Sequence, residues 1–348
     1  MHNIFKTNES PIIIAGPCSV ESLSQMRQVI QALPHNEVAW IRGGIWKPRT
    51  RPGGFEGKGK EALQWISDLK REFPALRFCT EVAQPEHVEL CLEHDVDAVW
   101  IGSRTTGNPF SVGEICNALQ NTHLPVLVKN PMTPDINLWI GAIERVSKAG
   151  IESVAAVHRG FSLYNNLGYR NNPLWEVPIE LKRQLPDLPL LCDPSHIGGK
   201  RELLHQLMQT AMDLHFDGLM IEVHPSPDSA LTDADQQLTP EDFFAILKKL
   251  SFRKDSESTP FELKHLREQI DLIDAQLIHL LSERLETSKK IAEVKGQNNM
   301  AVYQPKRWEE VLERKLALAQ EHGIDPSFVK DLYEKIHAES VKVQLSKD

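Results

Sequence analysis

From residue 11 to about 225, short apolar runs alternate with longer segments whose apolar positions recur every three or four residues. The runs read PIIIAGP, EVAWIRG, RFCTEV, AVWIGS, PVLVKN, SVAAVHRG, PLLCDPSH and GLMIEVHP, eight in all. An apolar run of this length fits a strand covered on both faces, whereas SLSQMRQVIQAL, KEALQWISDLKREF and NLWIGAIERVSKAG carry the stripe of an amphipathic helix. Strand and helix in alternation predict parallel pairing. Eight such units predict an α/β fold, a (β/α)8 TIM barrel over roughly residues 10 to 250, with an open doubly wound sheet as the alternative. The domains expected are a barrel at 1–250, a linker at 251–259 and a helical domain at 260–348.

The pattern changes after EDFFAILKKL. SFRKDSEST is polar and aperiodic and reads as the linker. Thr259, Pro260 and Glu262 then fit a capping box with proline in the first turn of a helix. Its apolar stripe runs through Leu263, Leu266, Ile270, Ile273, Leu277 and Leu280, then Ile291 and Val294. Gln304 and Pro305 open a second helix ending near Gly323, and Asp325 with Pro326 caps a third, so the tail reads as an all-α three-helix domain. No internal repeat stands out.

Each of the eight runs ends in polar or ionisable residues: Cys18; Arg42; Thr80 and Glu81; Ser103 and Arg104; Lys129; His158 and Arg159; Asp193 and His196; Glu222 and His224. In a barrel such strand ends converge on one mouth. The stretch RGGIWKPRTRPGGFEGKGK at 42–60 adds Lys47 and Arg49, so Arg42, Lys47, Arg49, Arg104, Lys129 and Arg159 are six cations expected in one cavity. Taken singly, each reads as a solvated surface charge. Together they suit a ligand carrying both phosphate and carboxylate.

Net charge narrows the choice. At -9, with a pI of about 5.9, the 348-residue chain lacks the extended basic surface that nucleic acid or an anionic membrane requires, so any bound anion is small and locally held. With no run of some 18 apolar residues and no signal-peptide pattern, the expected address is the cytoplasm. Five cysteines, an odd number without a CxxC pair, argue against a disulfide framework. Four donors from the first, seventh and eighth units, Cys18, His196, Glu222 and Asp233, suit a divalent ion with open positions, although singly Cys18 reads as a small buried residue and Asp233 as a loop acid. An ion so held polarises a carbonyl oxygen.

In order and spacing, the motifs GPCSVE at 16–21, R…KPRT at 42–50, GSR at 102–104, VKN at 128–130, HRGF at 158–161, DPSH at 193–196 and EVHP with a downstream Asp at 222–233 resemble the 3-deoxy-D-arabino-heptulosonate 7-phosphate (DAHP) synthases. The resemblance implies condensation of phosphoenolpyruvate with erythrose 4-phosphate at the head of the shikimate pathway. It places phosphoenolpyruvate on Arg42, Lys47, Arg104, Lys129 and Arg159, with Lys47 and Lys129 as catalytic residues. The aldose phosphate falls to Arg49, Thr50 and Ser103. Mn2+, or else Zn2+, Fe2+ or Co2+, falls to Cys18, His196, Glu222 and Asp233. The alternative is a 3-deoxy-D-manno-octulosonate 8-phosphate synthase, whose corresponding loop resembles KANRSS. KPRT favours the four-carbon aldose.

In the tail, Arg284 takes the stripe position shared by Leu277 and Ile291. A buried unpaired charge is costly, so either its side chain snorkels or an anion sits in the helical core. Lys295 lies 295 − 284 = 11 residues on, about three turns, and faces nearly the same way. The pattern LREQIDLID…LLSER…K…R…ESVKVQ is similar to the all-helical chorismate mutases. That resemblance implies rearrangement of chorismate to prephenate without a cofactor, in a homodimer formed through the helical domain. Its chorismate-binding residues would be Arg284, Lys295, Arg307, Ser340 and Gln344 with Arg267 from the partner, and its catalytic residues Arg284, Lys295 and Gln344. Two positions depart from the pattern, Gln304 where an acid is often found and Trp308 where a Glu is. A dimerising or sensing module without catalysis is the alternative. With about ten residues before the first strand leaving no room for a regulatory domain there, prephenate or chorismate at Arg284 and Lys295 is the expected feedback signal, stabilising a compact arrangement that slows the synthase.

Overall fold

Eight strands pair in parallel and in chain order: β1 (Ile12–Gly16), β2 (Trp40–Arg42), β3 (Arg77–Val82), β4 (Ala98–Ile101), β5 (Val126–Lys129), β6 (Val154–His158), β7 (Leu190–Cys192) and β8 (Gly218–Glu222). In this computed structural model β1 also pairs with β8, Ile14 opposite Met220, so the sheet closes into a barrel and the open alternative is excluded. The chain forms two units, Met1–Lys254 and Asp255–Asp348. The structure describes residues 3–6, 10–38, 40–47, 53–164, 168–252 and 261–346, with the side chains of 261, 262, 264, 265 and 268 outside that description.

The helices between the strands are α1 (Leu23–Ala32), α2 (Lys60–Glu72), α3 (Pro85–Glu93), α4 (Ser103–Thr106), α5 (Pro109–Leu119), α6 (Ile136–Lys148), α7 (Glu176–Gln184), α8 (Pro194–Gly198) and α9 (Leu204–Asp213), and α10 (Pro240–Leu247) follows the last strand. Their starts follow from local chemistry. Ser22, Asp135 and Thr239 accept from backbone amides of α1, α6 and α10, and proline opens α3, α5, α8 and α10, where its missing N–H costs nothing.

Alternation along the strands builds the site. Ile12, Ile14, Trp40, Cys79, Ala98, Trp100, Leu127, Ala155, Val157, Leu191 and Met220 form one buried cluster inside the barrel, and their outward neighbours pack under the helices. Phe5 closes that cluster at the bottom, its ring 5.3 Å from Trp40. Two residues beyond Trp40, Cys79, Leu127, Val157, Leu191 and Met220 come Arg42, Glu81, Lys129, Arg159, Asp193 and Glu222. A period of two therefore aims these six side chains into the mouth. Thr80 and His158, one residue out of phase, do not join them as expected. Thr80 donates to the Gly43 carbonyl at 2.7 Å. The His158 ring lies in the outer layer near Trp175 (5.3 Å), Phe161 (5.6 Å), Phe216 (6.2 Å) and Trp139 (6.4 Å).

At the opposite end a hydrogen-bond pattern occurs twice, four strands apart. Lys70 donates to the Asp95 carbonyl and to Asp97 (2.8 Å), whose other oxygen accepts from the Phe78 amide at 2.7 Å. Lys182 donates to the His215 carbonyl and to Asp217 (3.4 Å), which accepts from the Leu190 amide at 2.9 Å. Asp95 and His215 are both left-handed, with φ of 54° and 56°. The pattern rests on LKREFPALRF at 69–78 and LKRQLPDLPL at 181–190, a local repeat too short for the expectation of no repeats to have detected.

The second unit contains α11 (Phe261–Gln297), α12 (Pro305–Glu321) and α13 (Pro326–Leu345), with α13 packed on both others. Asp325 caps α13 as expected, accepting from the Ser327 amide at 3.0 Å. The capping box expected at Thr259, Pro260 and Glu262 lies outside the described residues, as does the linker beyond Phe252. In the single chain the apolar stripe of α11 is open, Ile270 and Ile273 each being 56% exposed. Among the described residues no helix is long and apolar enough to cross a membrane.

Asp97→Ala and Asp217→Ala each strand a β-strand amide, and each is expected to destabilise the barrel by about 1–3 kcal/mol. Lys70→Ala removes only a partly exposed partner and should cost under about 1 kcal/mol. Urea unfolding followed by tryptophan fluorescence checks the order, and equal losses would show that the ion pair rather than the strand amide matters.

Candidate active sites

The barrel mouth holds a cavity of about 260 Å3. Lys47, Arg104, Lys129 and Arg159 line it, four of the six cations expected there, together with Ser103, His196 and Asp233. Arg42 lies below the lining, 1% exposed, its Nη2 3.0 Å from Glu222 Oε1, its Nη1 3.9 Å from Asp193 and its guanidinium 5.1 Å from the Trp100 ring centre. Arg49 and Thr50 fall outside the described residues. Glu81, one of the strand ends expected at the mouth, also lines the cavity, as do Met132 and Arg170, which sequence reasoning missed. Glu81 was visible as the inward residue of RFCTEV, and its carboxylate accepts from Trp100 Nε1 at 3.2 Å. A Cβ at Gly102 would sit 2.1 Å from Glu81 Oε1, so the glycine of the GSR motif makes room for that carboxylate. Arg170 sits in the loop between β6 and α7, where neither periodicity nor a motif marks it.

Asp193 organises the floor. Fully buried, it accepts from Lys129 Nζ at 2.6 Å and from the His196 backbone amide at 3.1 Å, with His196 Nδ1 2.8 Å from its Oδ2. Burial would raise its pKa, but His196, Lys129 and Arg42 hold it well below the ordinary carboxylate range. Burial in turn lowers Arg159 to about 10; Asp193 opposes this, while Arg170 and Arg104 add to it.

The Cys18, Glu222 and Asp233 donor atoms lie within 4.8 Å of one another. His196 stands beside them, Nε2 3.7 Å from Glu222 Oε1, its Nδ1 being held by Asp193. Lys47 Nζ donates to Cys18 Sγ (3.1 Å), Cys18 Sγ to Asp233 Oδ2 (3.2 Å), and Arg170 Nη1 lies 3.0 Å from Asp233 Oδ1. Burial pushes the Cys18 thiol up to about 12; Glu222 adds to this, Lys47 opposes it and Asp233 adds again. A divalent cation in this group reverses that balance and favours the thiolate. The donors fit such an ion: a soft sulfur and two carboxylates converge with the His196 imidazole beside them, and buried Glu222 Oε1 is ion-paired among the described residues with Arg42 alone, apart from the more distant His196 ring. Cys18 and Asp233 come from different loops, which three hydrogen bonds cross-link and a fourth, within the second loop, braces. The Cys18 amide donates to Gln237 Oε1 (2.9 Å), Gln237 Nε2 to the Thr232 carbonyl (2.8 Å) and the Leu231 amide to Glu21 Oε1 (2.8 Å), while the Ser19 and Thr232 hydroxyls lie 2.7 Å apart.

In the helical unit, Arg284 donates to the Ser340 hydroxyl, and Lys295 donates to the Val302 carbonyl (2.5 Å) and Gln344 Oε1 (3.3 Å). Four of the expected residues, Arg284, Lys295, Ser340 and Gln344, are thus linked in two pairs. Arg307 is exposed and pairs with Glu310 at 3.1 Å on its own helix. Arg267 lies on the same unbroken helix as Lys295, 295 − 267 = 28 residues away, or about 42 Å at 1.5 Å per residue. Gln304 is the N-cap residue of α12 without a side-chain cap bond, and Trp308 stacks on His337 with ring centres 4.1 Å apart. His337 was not singled out from the sequence.

Residues 2–256 match the model of the DAHP synthetase I family, and residues 266–345 that of chorismate mutase type II. The chain is 29% identical over 238 residues to a phospho-2-dehydro-3-deoxyheptonate aldolase of Thermotoga maritima, covering 68% of each chain. It is 25% identical over 266 residues to a 2-dehydro-3-deoxyphosphooctonate aldolase of Nitratidesulfovibrio vulgaris, covering 69% of this chain and 90% of that one. A crystal structure of a Thermotoga maritima phospho-2-dehydro-3-deoxyheptonate aldolase (DAHP synthase) superposes with a TM-score of 0.62 at 28% identity, covering 70% of this chain and 69% of the other. The closed barrel, the cation-lined mouth and a family match over most of the chain lead to one conclusion: the chain belongs to the DAHP synthetase I family and carries a chorismate mutase type II domain C-terminal to the barrel in sequence.

Proposed function

We propose that the barrel condenses phosphoenolpyruvate with erythrose 4-phosphate to DAHP and phosphate, and that the helical unit rearranges chorismate to prephenate. The observation that carries the first reading is the ring of Lys47, Arg104, Lys129, Arg159 and Arg170 around one cavity beside Cys18, Glu222 and Asp233. The two substrates bring two phosphates and a carboxylate, which repel one another unless fixed cations hold them together. Lys47, Arg104, Lys129 and Arg159 hold phosphoenolpyruvate in this reading, with Arg42 adding positive potential from beneath. Arg49, Thr50 and Ser103 hold the aldose phosphate. Ser103 Oγ, buried with no hydrogen-bond partner among the described residues, supports its share of that role.

C3 of phosphoenolpyruvate attacks the aldehyde carbon, water adds at C2 and phosphate leaves. The chain aligns the two substrates and balances their charge. A divalent ion on Cys18, His196, Glu222 and Asp233, Mn2+ or one of Zn2+, Fe2+ and Co2+, supplies polarisation of the aldehyde oxygen. In the helical unit, Arg284 and Lys295 hold the substrate carboxylates, and Lys295 with Gln344 meets the charge developing on the ether oxygen. Arg307 of the same chain, together with Arg267 of the partner subunit, completes the binding set. The open stripe of α11 supports a homodimer through that face, the arrangement by which Arg267 reaches a site about 42 Å along its own helix. Prephenate or chorismate bound at Arg284 and Lys295 slows the condensation as a feedback signal.

Phosphoenolpyruvate consumption tests the barrel. It should require a divalent ion, stop with chelator while mutase activity persists, recover with Mn2+, and proceed with erythrose 4-phosphate but little with arabinose 5-phosphate. A fully active chelated enzyme sinks the metal assignment, and the reverse aldose preference moves the barrel to the octulosonate reaction. Ile270→Lys combined with Leu277→Lys should convert a dimer to a monomer in analytical ultracentrifugation, with at least a tenfold loss of mutase kcat/KM; an unchanged sedimentation coefficient excludes this face. Arg284→Ala should lose mutase activity and inhibition by prephenate together. Inhibition that survives in that variant would locate the effector site in the barrel.

A further inference from the structure

His337 lies in the helical site, and the reading above leaves it without a task. On α13, His337, Ser340 and Gln344 follow one another at spacings of three and four and so share a face. Ser340 takes the Arg284 guanidinium and Gln344 the Lys295 ammonium. The imidazole stands next in that row. Its Nε2 is buried and has no hydrogen-bond partner among the described residues. Trp308 fixes its plane, with ring centres 4.1 Å apart and planes 15° apart, and Tyr303 lies 6.0 Å away. A buried ring nitrogen without a partner is costly in a folded chain, and the cost is recovered if a ligand group completes the bond.

The ring is also held neutral. Burial lowers its pKa, and Arg284 and Lys295, which face it from α11, lower it further. A neutral imidazole among cations is a poor partner for another cation and adds no charge for a carboxylate. It is well matched to an alcohol, since one tautomer accepts from a hydroxyl and the other donates to it. Chorismate carries two carboxylates, an ether oxygen and one ring hydroxyl. Arg284 and Lys295 answer the charged groups, and the side chains at 304 and 308 are an amide and an indole, neither of them acidic.

We propose that His337 Nε2 is the hydrogen-bond partner of the ring hydroxyl of chorismate, a substrate-contacting residue of the mutase site whose plane is set by stacking on Trp308. The inference rests on the mutase reading above. It assigns His337 a part in choosing among enolpyruvyl ring dicarboxylates that differ at that hydroxyl.

The test is a cycle of kcat/KM values for chorismate and its deoxy analogue, in which the ring hydroxyl is replaced by hydrogen, with full-length wild type and His337→Phe. Comparing ratios cancels the different intrinsic reactivity of the two compounds. Wild type should favour chorismate by roughly ten- to a hundredfold more than His337→Phe does, the range for a lost bond to a buried group. His337→Gln keeps a hydrogen-bonding side chain and should recover part of that preference, which a purely structural role of the ring would not produce. A His337→Phe enzyme that discriminates between the compounds as wild type does overturns the assignment while leaving the mutase reading intact. A wild-type protein that rearranges neither compound overturns both.

Discussion

Asp193 is the carboxylate on which the barrel mouth depends. With no exposure to solvent it must be paired, and its partners are the groups the mouth needs in place: Lys129 at 2.6 Å, the His196 ring at 2.8 Å, and Arg42 at 3.9 Å. Removing one partner from such a buried cluster leaves an uncompensated charge, so each member holds the others to one geometry. Glu222 does the same on the neighbouring strand, taking Arg42 at 3.0 Å on one oxygen and Gln236 at 2.6 Å on the other. Closure of β7 and β8 onto β1 brings the two carboxylates to the same end of the barrel as Cys18. Cation ring and donor cluster are therefore one electrostatic object.

Much of that object was legible in the sequence because barrel strands impose a period of two. Once Trp40, Leu127, Val157, Leu191 and Met220 are placed inside, Arg42, Lys129, Arg159, Asp193 and Glu222 must follow them into the mouth. The same rule explains the error at His158 and Thr80. Polar strand ends were read as a group, but only every second residue points inward, and His158 belongs to the aromatic layer between strands and helices.

Arg170, by contrast, was not legible. It stands in a loop, where no period applies, and it matters because Asp233 and Gln236 from another loop come within 3.0 and 2.5 Å of it. Such a pairing depends on how two loops far apart in sequence fold over the same opening, which local pattern does not encode. His337 was hidden for a related reason. On α13 it looks like one more half-buried helix residue, and only the ring of Trp308 on the adjacent helix and the cations of α11 give its free nitrogen a meaning. The Lys70–Asp97 and Lys182–Asp217 pairs were missed because ten-residue similarity is faint until shared hydrogen bonds align it.

The two units handle the same electrostatic problem in opposite ways. In the barrel two of the buried cations face a carboxylate, Arg42 with Glu222 and Lys129 with Asp193, and the more exposed Arg170 meets Asp233. Charges desolvated that deeply persist only when compensated, so binding an anion there means adding negative charge to an already balanced network. A divalent cation on Cys18, Glu222 and Asp233 would add compensating positive charge beside it. The helical unit holds Arg284 and Lys295 with a hydroxyl, a carbonyl and an amide, all neutral. These side chains are only half buried, so solvent bears part of the cost of their charge, and their positive potential stays uncompensated until a dianion arrives. An uncharged ring such as His337 fits that arrangement, since a carboxylate in its place would cancel the potential that draws the ligand in.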